Sequence, residues 1–346
     1  MRARIDVVIA LFTVAALVTG CQEPEQAPPA AGSSRAAPPA RQAEVASLID
    51  ARWVGFAENQ PWDWEQLDRR ITPDFQQFGF RPVGETEKPR PCQGCGVNPP
   101  TAEVTVYAPG KFDASDTSTG RRVDVNGRQG FIGEGRPRDP PVHFSEFYES
   151  TLLSWQYAPD SWATVRGMTP MTQDVDRMLE LARALRPDER TPVRVPLRIA
   201  DVPARMPLVS VETTFAPIYG PTSEFGTVLF FGPCVTLVKA RACQEQSSET
   251  GSLSVSIWHR DDYPDRSHLA DVPRLIGGKE GRYDASLFSA AVLVDKGVYV
   301  QFNLNPPDGP DRSKASGELE SVLESAVWAA NPANEAAWPP ITDWVE

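Results

Sequence analysis

The densest cluster of potential metal ligands in the chain runs from His259 to His268. It contains Asp261, Asp262 and Asp265, whose carboxylate oxygens suit hard cations such as calcium, while its two histidines suit zinc. The carboxylates lack the ordered spacing of a calcium-binding loop, and aspartates beside arginines are also typical of solvated turns. We therefore predict an exposed loop without a metal and keep metal binding as the alternative.

Sequence motifs of nucleophilic or phosphate-binding enzymes are missing from the chain. It has no Gly-x-Ser-x-Gly, no Ser-x-x-Lys and no His-Glu-x-x-His. The glycines at 277, 278 and 281 have neither the spacing nor the hydroxyl residue of a phosphate-binding loop, and they favour tight turns instead. We expect no catalytic residue and no cofactor.

The two tryptophans of Trp62-Asp63-Trp64 would present aromatic faces to a sugar ring or a peptide if they were exposed. Tryptophans beside an amphipathic helix are more often part of a core. Only one of the two can follow the local apolar stripe closely, so the other is expected at the surface. This pair is the one indication of a binding surface in the folded part of the chain.

The first 21 residues have the pattern of an export signal. Arg2 and Arg4 precede an apolar run over residues 7–18, which is shorter than the roughly 20 residues of a membrane-spanning helix and is typical of an export signal. The run ends at Val18-Thr19-Gly20-Cys21, which resembles the lipobox of bacterial lipoproteins. The resemblance implies a signal peptide over residues 1–20, acylation of the Cys21 sulfur (a palmitate-type modification) and anchoring to the cell membrane on its non-cytoplasmic side.

Four further cysteines are present at positions 92, 95, 234 and 243. Prolines on both sides of Cys92-Gln93-Gly94-Cys95 prevent the helix that a redox dithiol requires, and Cys234 and Cys243 are too far apart for a second zinc knuckle. An exported chain folds where disulfides persist, so the even number favours two bridges, for which three connectivities exist. The matching positions of Cys95 and Cys243 ahead of similar strands favour Cys92–Cys95 and Cys234–Cys243.

Composition separates a tether from a folded part. Residues 21–41 are rich in Pro, Ala, Gly and Ser without apolar periodicity and predict a disordered tether. The whole chain is 41% hydrophobic and 23% charged, as expected of a globular protein with a buried core. Its formal net charge of −12 repels phosphate backbones and argues against nucleic-acid binding.

Periodicity predicts both helices and strands beyond the tether. Helices are expected around Val45 to Trp53, from Asp63 through Trp64, Leu67 and Ile71, over Val175 to Leu185, and over Leu319 to Val327 with Ser316 as the cap. Strands are expected at 104–107, 122–125, 152–157, 162–165, 193–199, 227–231 and 253–258, and in a hairpin over 287–304. The tail beyond Asn331 should dock on the folded part through Trp338 and Trp344.

The order of these elements recurs, with Gly127 and Gly130 matching Gly278 and Gly281. We therefore predict an α+β fold of two related tandem units, 42–188 and 189–346 with a C-terminal tail, each an antiparallel sheet with helices packed on one face. The function we expect is a non-catalytic, membrane-anchored binding or sensory module whose partner is another envelope protein or envelope component. A carrier of a small apolar ligand or lipid is the alternative, and a carboxylate-based hydrolase is the third possibility.

Overall fold

The computed structural model describes residues 49–58, 61–86, 99–115, 120–134, 150–215, 226–233, 251–259, 272–295, 298–307, 312–332 and 334–344. Within them the first half of the chain forms nine strands and one helix: β1 (Trp53–Glu58), β2 (Trp64–Ile71), β3 (Phe75–Pro82), β4 (Ala102–Tyr107), β5 (Arg121–Val125), β6 (Arg128–Glu134), β7 (Thr151–Ala158), β8 (Ser161–Gly167), α1 (Val175–Ala184) and β9 (Leu185–Pro192).

The second half repeats this succession of elements. It comprises β10 (Leu197–Ile199), β11 (Leu208–Thr214), β12 (Gly226–Phe231), β13 (Ser252–His259), β14 (Val272–Ile276), β15 (Lys279–Asp284), β16 (Ser289–Asp295), β17 (Val298–Asn305), α2 (Arg312–Glu324) and β18 (Ala326–Trp328). Two short 3-10 helices follow, at Glu335–Ala337 and Ile341–Asp343. The described part is mostly β, so the predicted α+β class is wrong.

One antiparallel sheet of 14 strands organises the molecule. Seven strands of the first half lie in the order β2-β3-β4-β8-β7-β6-β5, and seven of the second half in the order β11-β12-β13-β17-β16-β15-β14. Antiparallel pairing of β2 with β11 joins the halves into a continuous sheet, instead of the two separate helix-covered sheets that we predicted. Two small sheets, β1 with β9 and β10 with β18, accompany it. The division into residues 42–188 and 189–346 is not tested by this topology and stays a prediction.

The predicted helix through Trp64, Leu67 and Ile71 is strand β2 instead. Its pairing with β3 shifts register between Gln66 and Asp68. Such an irregularity adds one residue to the strand, so the step from Trp64 to Leu67 is three residues instead of two. The step of four from Leu67 to Ile71 is two regular strand repeats, with Arg69 on the same face between them. That spacing imitates a helix, which explains the error.

Of the other predicted helices, the one through Trp53 is wrong, α1 is confirmed, and α2 begins earlier than predicted. Trp53 begins strand β1 and not a helix, while Val45 lies outside the described residues. Helix α1 is confirmed, with Asp174 as its cap. Helix α2 begins at Arg312 and ends at Glu324, so Ser316 lies within it and its hydroxyl meets the Tyr283 hydroxyl at 2.7 Å.

Two hydrophobic clusters form the core. The first contains Phe78, Val104 and Val165 with Met178 and Leu179 of α1. The second draws on the strands of the second half and on Leu319 and Leu323 of α2, together with Ile71 from β2. Ile71 thus belongs to the cluster of the other half, which fits a continuous sheet.

The C-terminal tail docks as predicted. Trp338 is buried and its indole N–H donates to the Pro332 carbonyl at 2.8 Å. Trp344 packs against the second cluster, with its ring 6.2 Å from that of Phe231. The last segment of the chain is therefore part of the fold.

Candidate functional site

Most site residues predicted from sequence lie outside the described residues. This applies to Cys21, to the four cysteines at positions 92, 95, 234 and 243, and to residues 260–268 of the Asp/His loop, whose first residue, His259, ends β13. Lipidation, both disulfides and the metal-free loop therefore stay predictions. Within the described ranges, no group of three His, Cys, Asp or Glu residues is placed to hold a metal ion.

The structure separates the two tryptophans of the Trp62-Asp63-Trp64 motif. Trp64 begins β2, is only 2% exposed, and donates its indole N–H to the Glu180 carboxylate on α1 at 3.3 Å. Trp62 is 94% exposed. The prediction that one tryptophan of the pair joins the core while the other stays at the surface is confirmed, although the element that positions them is a strand.

The segment that carries Trp62 is fastened to helix α1. The Arg177 guanidinium forms an ion pair with Asp63 and contacts the Glu180 carboxylate at 3.0 Å. It also lies 5.9 Å from the centre of the Trp64 ring. The hydrogen bond to Asp63, and secondly that to Glu180, raises the pKa of Arg177, so this cation is permanently charged. Trp62 is therefore an exposed ring beside a fixed piece of backbone.

Two more apolar side chains are exposed at the same end of the sheet. Val83 is 67% exposed and its backbone N–H donates to the Asp63 carbonyl at 2.8 Å, which places it beside the Trp62 segment. Met171, which is 45% exposed, follows the end of β8. We call Trp62, Val83 and Met171 the Trp62 surface.

A buried carboxylate links the loops that carry Val83 and Met171. Glu85 accepts hydrogen bonds from the hydroxyls of Thr101 and Thr169, both at 2.5 Å. Thr172 extends the network, because its hydroxyl meets that of Thr169 at 3.0 Å and donates to the Thr101 carbonyl at 2.7 Å. These bonds connect the β3 end, the β4 start and the β8–α1 connection, so the Trp62 surface rests on a hydrogen-bonded base.

The charged residues on β2 and around α1, the elements beside the Trp62 surface, include several exposed carboxylates. These are Glu65, Asp174, Asp176 and Glu180. Arg177 is half-buried and is already paired with Asp63 and Glu180. The local charge therefore favours a basic partner over an acidic one.

Two carboxylates at the core of the first half and at the sheet junction, Glu85 and Glu212, do not form a hydrolytic pair. Glu85 accepts from threonine hydroxyls, and Glu212 on β11 forms an ion pair with Arg70 on β2 at 2.7 Å. A glycosidase-type site needs two carboxylates that face one substrate bond. These two are each engaged by their own structural partners, so they do not support the hydrolase interpretation.

Sequence reasoning found Trp62 but not the rest of this surface. Val83 and Met171 are single apolar residues in connections, and nothing in their spacing distinguishes them from core residues. Glu85 carried no signal either, because its threonine partners are distant in sequence.

No helix among the described residues is long and apolar enough to cross a membrane. Comparison of the chain with protein-family models, with curated proteins and with solved structures gave no match.

Proposed function

We propose that this protein is a non-catalytic binding module, anchored through acylated Cys21 on the non-cytoplasmic side of the membrane, that binds another envelope protein through the Trp62 surface. The observation that carries the proposal is the 94% exposure of Trp62 beside a backbone segment fastened to α1. Scattered exposed apolar residues are normal, but a highly exposed tryptophan beside Val83, with Met171 at the same end of the sheet, supports an interaction site.

The physical case rests on preorganisation. Tryptophan is enriched among the residues that dominate binding energy at protein interfaces. Ordering flexible groups on association costs free energy, and a ring carried beside an ion-paired strand end has part of that ordering already in place. Trp62 is therefore suited to be the central contact of an interface.

Charge indicates the kind of partner. The carboxylates on the neighbouring elements favour a protein segment with Arg or Lys beside apolar residues, and a cation can also stack on the exposed indole face. The tether supports access to such a partner, because a flexible coil of 20 residues, 22–41, spans on the order of 25 Å. We propose that it holds the folded part clear of the lipid surface.

Photocrosslinking in intact cells tests the surface. A photoreactive residue in place of Trp62 should give a discrete protein adduct, while the same residue in place of Val327, an exposed apolar residue of β18, should not. The captured protein is then purified and its affinity measured. Trp62→Ala should raise Kd at least tenfold, Val327→Ala should not, and added salt should weaken binding.

Two results would contradict the proposal. Equal adducts at both positions would mean non-specific contact. A polysaccharide adduct at position 62 without a protein adduct would mean that the Trp62 surface binds sugar and that the partner class is wrong.

The anchor is tested separately by Cys21→Ser, which removes the acylated sulfur. The variant should leave the membrane fraction or remain uncleaved, whereas wild type should fractionate with membranes. Mature variant protein that still sediments with membranes would disprove the anchor without affecting the binding surface.

A further inference from the structure

A cationic side chain lies on the core side of the sheet where its two halves join. Arg69 on β2 is directly opposite Phe78 on β3 and Thr213 on β11. Residues directly opposite in neighbouring strands share a face, and Phe78 belongs to the first hydrophobic cluster. The Arg69 side chain therefore lies on the face that carries the cores, while the neighbouring Arg70 pairs with Glu212 on the other face.

The fold does not require a cation at this position, because the other half has valine there. The repeated strand order allows the two halves to be matched by following directly paired residues inward from the edge hairpins. The first series is Gly130, Trp155, Ala163, Val106, Gln76 and Ile71, and the second is Gly281, Val292, Val300, Ile257, Thr227 and Thr213. Ile71 thus corresponds to Thr213, and Arg69, two residues earlier, corresponds to Val211, which is buried.

Arg69 forms no ion pair within the described residues. Its Nε is buried without a hydrogen-bond acceptor there. Burial of a polar group without a partner is unfavourable, and burial of a cation without one is more so. Desolvation lowers the pKa of Arg69 to about 10, which still leaves it charged at neutral pH.

Arg69 is of intermediate burial, so part of the residue is accessible to solvent. The central carbon of its guanidinium lies 5.4 Å from the centre of the Phe215 ring, and Phe215 is 45% exposed. A hydroxyl pair, Thr213 Oγ1 and Thr227 Oγ1 at 3.2 Å, lies on the same face. Arg69 is thus a cation without an ion-pair partner among the described residues, and it lies between a buried sheet surface and a partly exposed aromatic ring.

We propose that Arg69 and Phe215 form a binding site for a small apolar carboxylic acid in its ionised form. The carboxylate would accept hydrogen bonds from the guanidinium, and the apolar body would pack against the Phe215 ring. Carboxylate and guanidinium match in geometry and cancel in charge, which removes the unpaired cation. A single cation suits a single negative charge better than a doubly charged phosphate.

Phenylacetate, its neutral counterpart phenylacetamide and inorganic phosphate are the probes, applied to the full mature chain in calorimetric titration. Wild type should bind phenylacetate saturably and bind the other two at least tenfold more weakly. Arg69→Gln should weaken phenylacetate binding at least tenfold. Arg122→Gln, which removes an exposed arginine of edge strand β5, makes the same charge change and should leave binding unaltered.

Folding of the variants is checked by thermal unfolding of each protein. Arg69→Leu, which imitates Val211, should keep or raise the thermal midpoint and abolish binding. Equal phenylacetate binding by wild type and Arg69→Gln, or equal binding of the amide, would overturn the site. So would a lowered thermal midpoint in both Arg69 variants, because the arginine would then serve the fold. Trp62→Ala should not alter phenylacetate binding, which separates this site from the proposed protein-binding surface.

Discussion

Arg70 and Glu212 face each other across the line where the two seven-strand halves of the sheet meet, with Nε and Oε1 2.7 Å apart. They are one of the two middle pairs among the four that join β2 and β11, and since Ile71 corresponds to Thr213, Arg70 corresponds to Glu212. A position that the two halves share is thus occupied by opposite charges. This complementarity favours the pairing of β2 with β11 over the pairing of either strand with a second copy of itself, because like charges would then be opposed.

We expect loss of one partner of this pair to be more damaging than loss of both. The Arg70 side chain is 6% exposed and that of Glu212 is 23% exposed, so Glu212→Gln takes this ion pair away from the more deeply buried charge. It should lower the free energy of unfolding by about 3–5 kcal/mol, and Arg70→Met by somewhat less. The double variant Arg70→Met/Glu212→Leu should be close to wild type. Urea unfolding of all four proteins measures this, and additive losses in the double variant would contradict it.

Local patterns predicted the hairpins well because their signals are local. Asn126 and Gly127 have φ of 52° and 78°, and Gly277 and Gly278 have φ of 53° and 78°, as two-residue hairpin turns require. The pairing of β2 with β11 joins residues that are about 140 positions apart and leaves no signal in either strand. The fold class was missed at the register shift within β2, at strands β1, β3 and β11, which were not predicted as strands, and at this long-range pairing.

The candidate sites, like the strands, could be predicted only where the signal is local in the sequence. The prediction that one ring of the Trp62 and Trp64 pair would be exposed was correct, although it was drawn from the apolar stripe of a helix and Trp64 begins a strand. Arg69 could not be singled out, because its unusual burial depends on strands β3 and β11 packed beside it. The lipobox, in contrast, is a linear motif that needs no fold to be recognised.

The network at Glu85 should contribute measurably to stability. Hydrogen bonds to charged groups are worth about 1.5–3 kcal/mol, and Glu85 is buried while it accepts from two threonine hydroxyls. Thr101→Val and Thr169→Val should each lower the free energy of unfolding by about that amount. Thr101→Ser keeps a hydroxyl and is the control. A valine variant as stable as wild type, together with a less stable serine variant, would show that packing of the methyl group, and not the hydrogen bond, matters at Thr101.

Stability at alkaline pH should depend on Tyr157. Desolvation raises its pKa to about 12, and its hydroxyl donates to the Tyr107 carbonyl at 2.7 Å. The unfolded chain loses this proton near pH 10, so the contribution is complete below pH 10 and is lost as pH rises from 10 to about 12. Across that window it is on the order of 2 kcal/mol.

The comparison is with Tyr157→Phe, which cannot ionise and retains Arg69, whose lowered pKa acts in the opposite direction. Urea unfolding at a series of pH values from 9 to 11 should show wild type losing stability relative to the variant above pH 10. Parallel curves for the two proteins would show that Tyr157 titrates alike in the folded and unfolded states.

Helices α1 and α2 should protect different halves of the sheet. Leu179 on α1 and Leu323 on α2 are both buried, and they belong to different hydrophobic clusters. Leucine-to-alanine changes at such positions cost about 2–5 kcal/mol, and Leu323, which is fully buried, should lie nearer the upper end. Because the clusters are distinct, hydrogen exchange should rise mainly in β3 to β8 for Leu179→Ala and mainly in β12 to β17 for Leu323→Ala. The junction strands β2 and β11 should respond to both changes, since Ile71 of β2 packs in the second cluster while Trp64 of β2 packs in the first.

Val327→Ala, at an exposed site just beyond α2, is the matched control and should leave exchange unchanged. A uniform rise in exchange across all 14 strands for either leucine variant would mean that the continuous sheet opens as one cooperative unit, and that the two cores do not protect their halves separately.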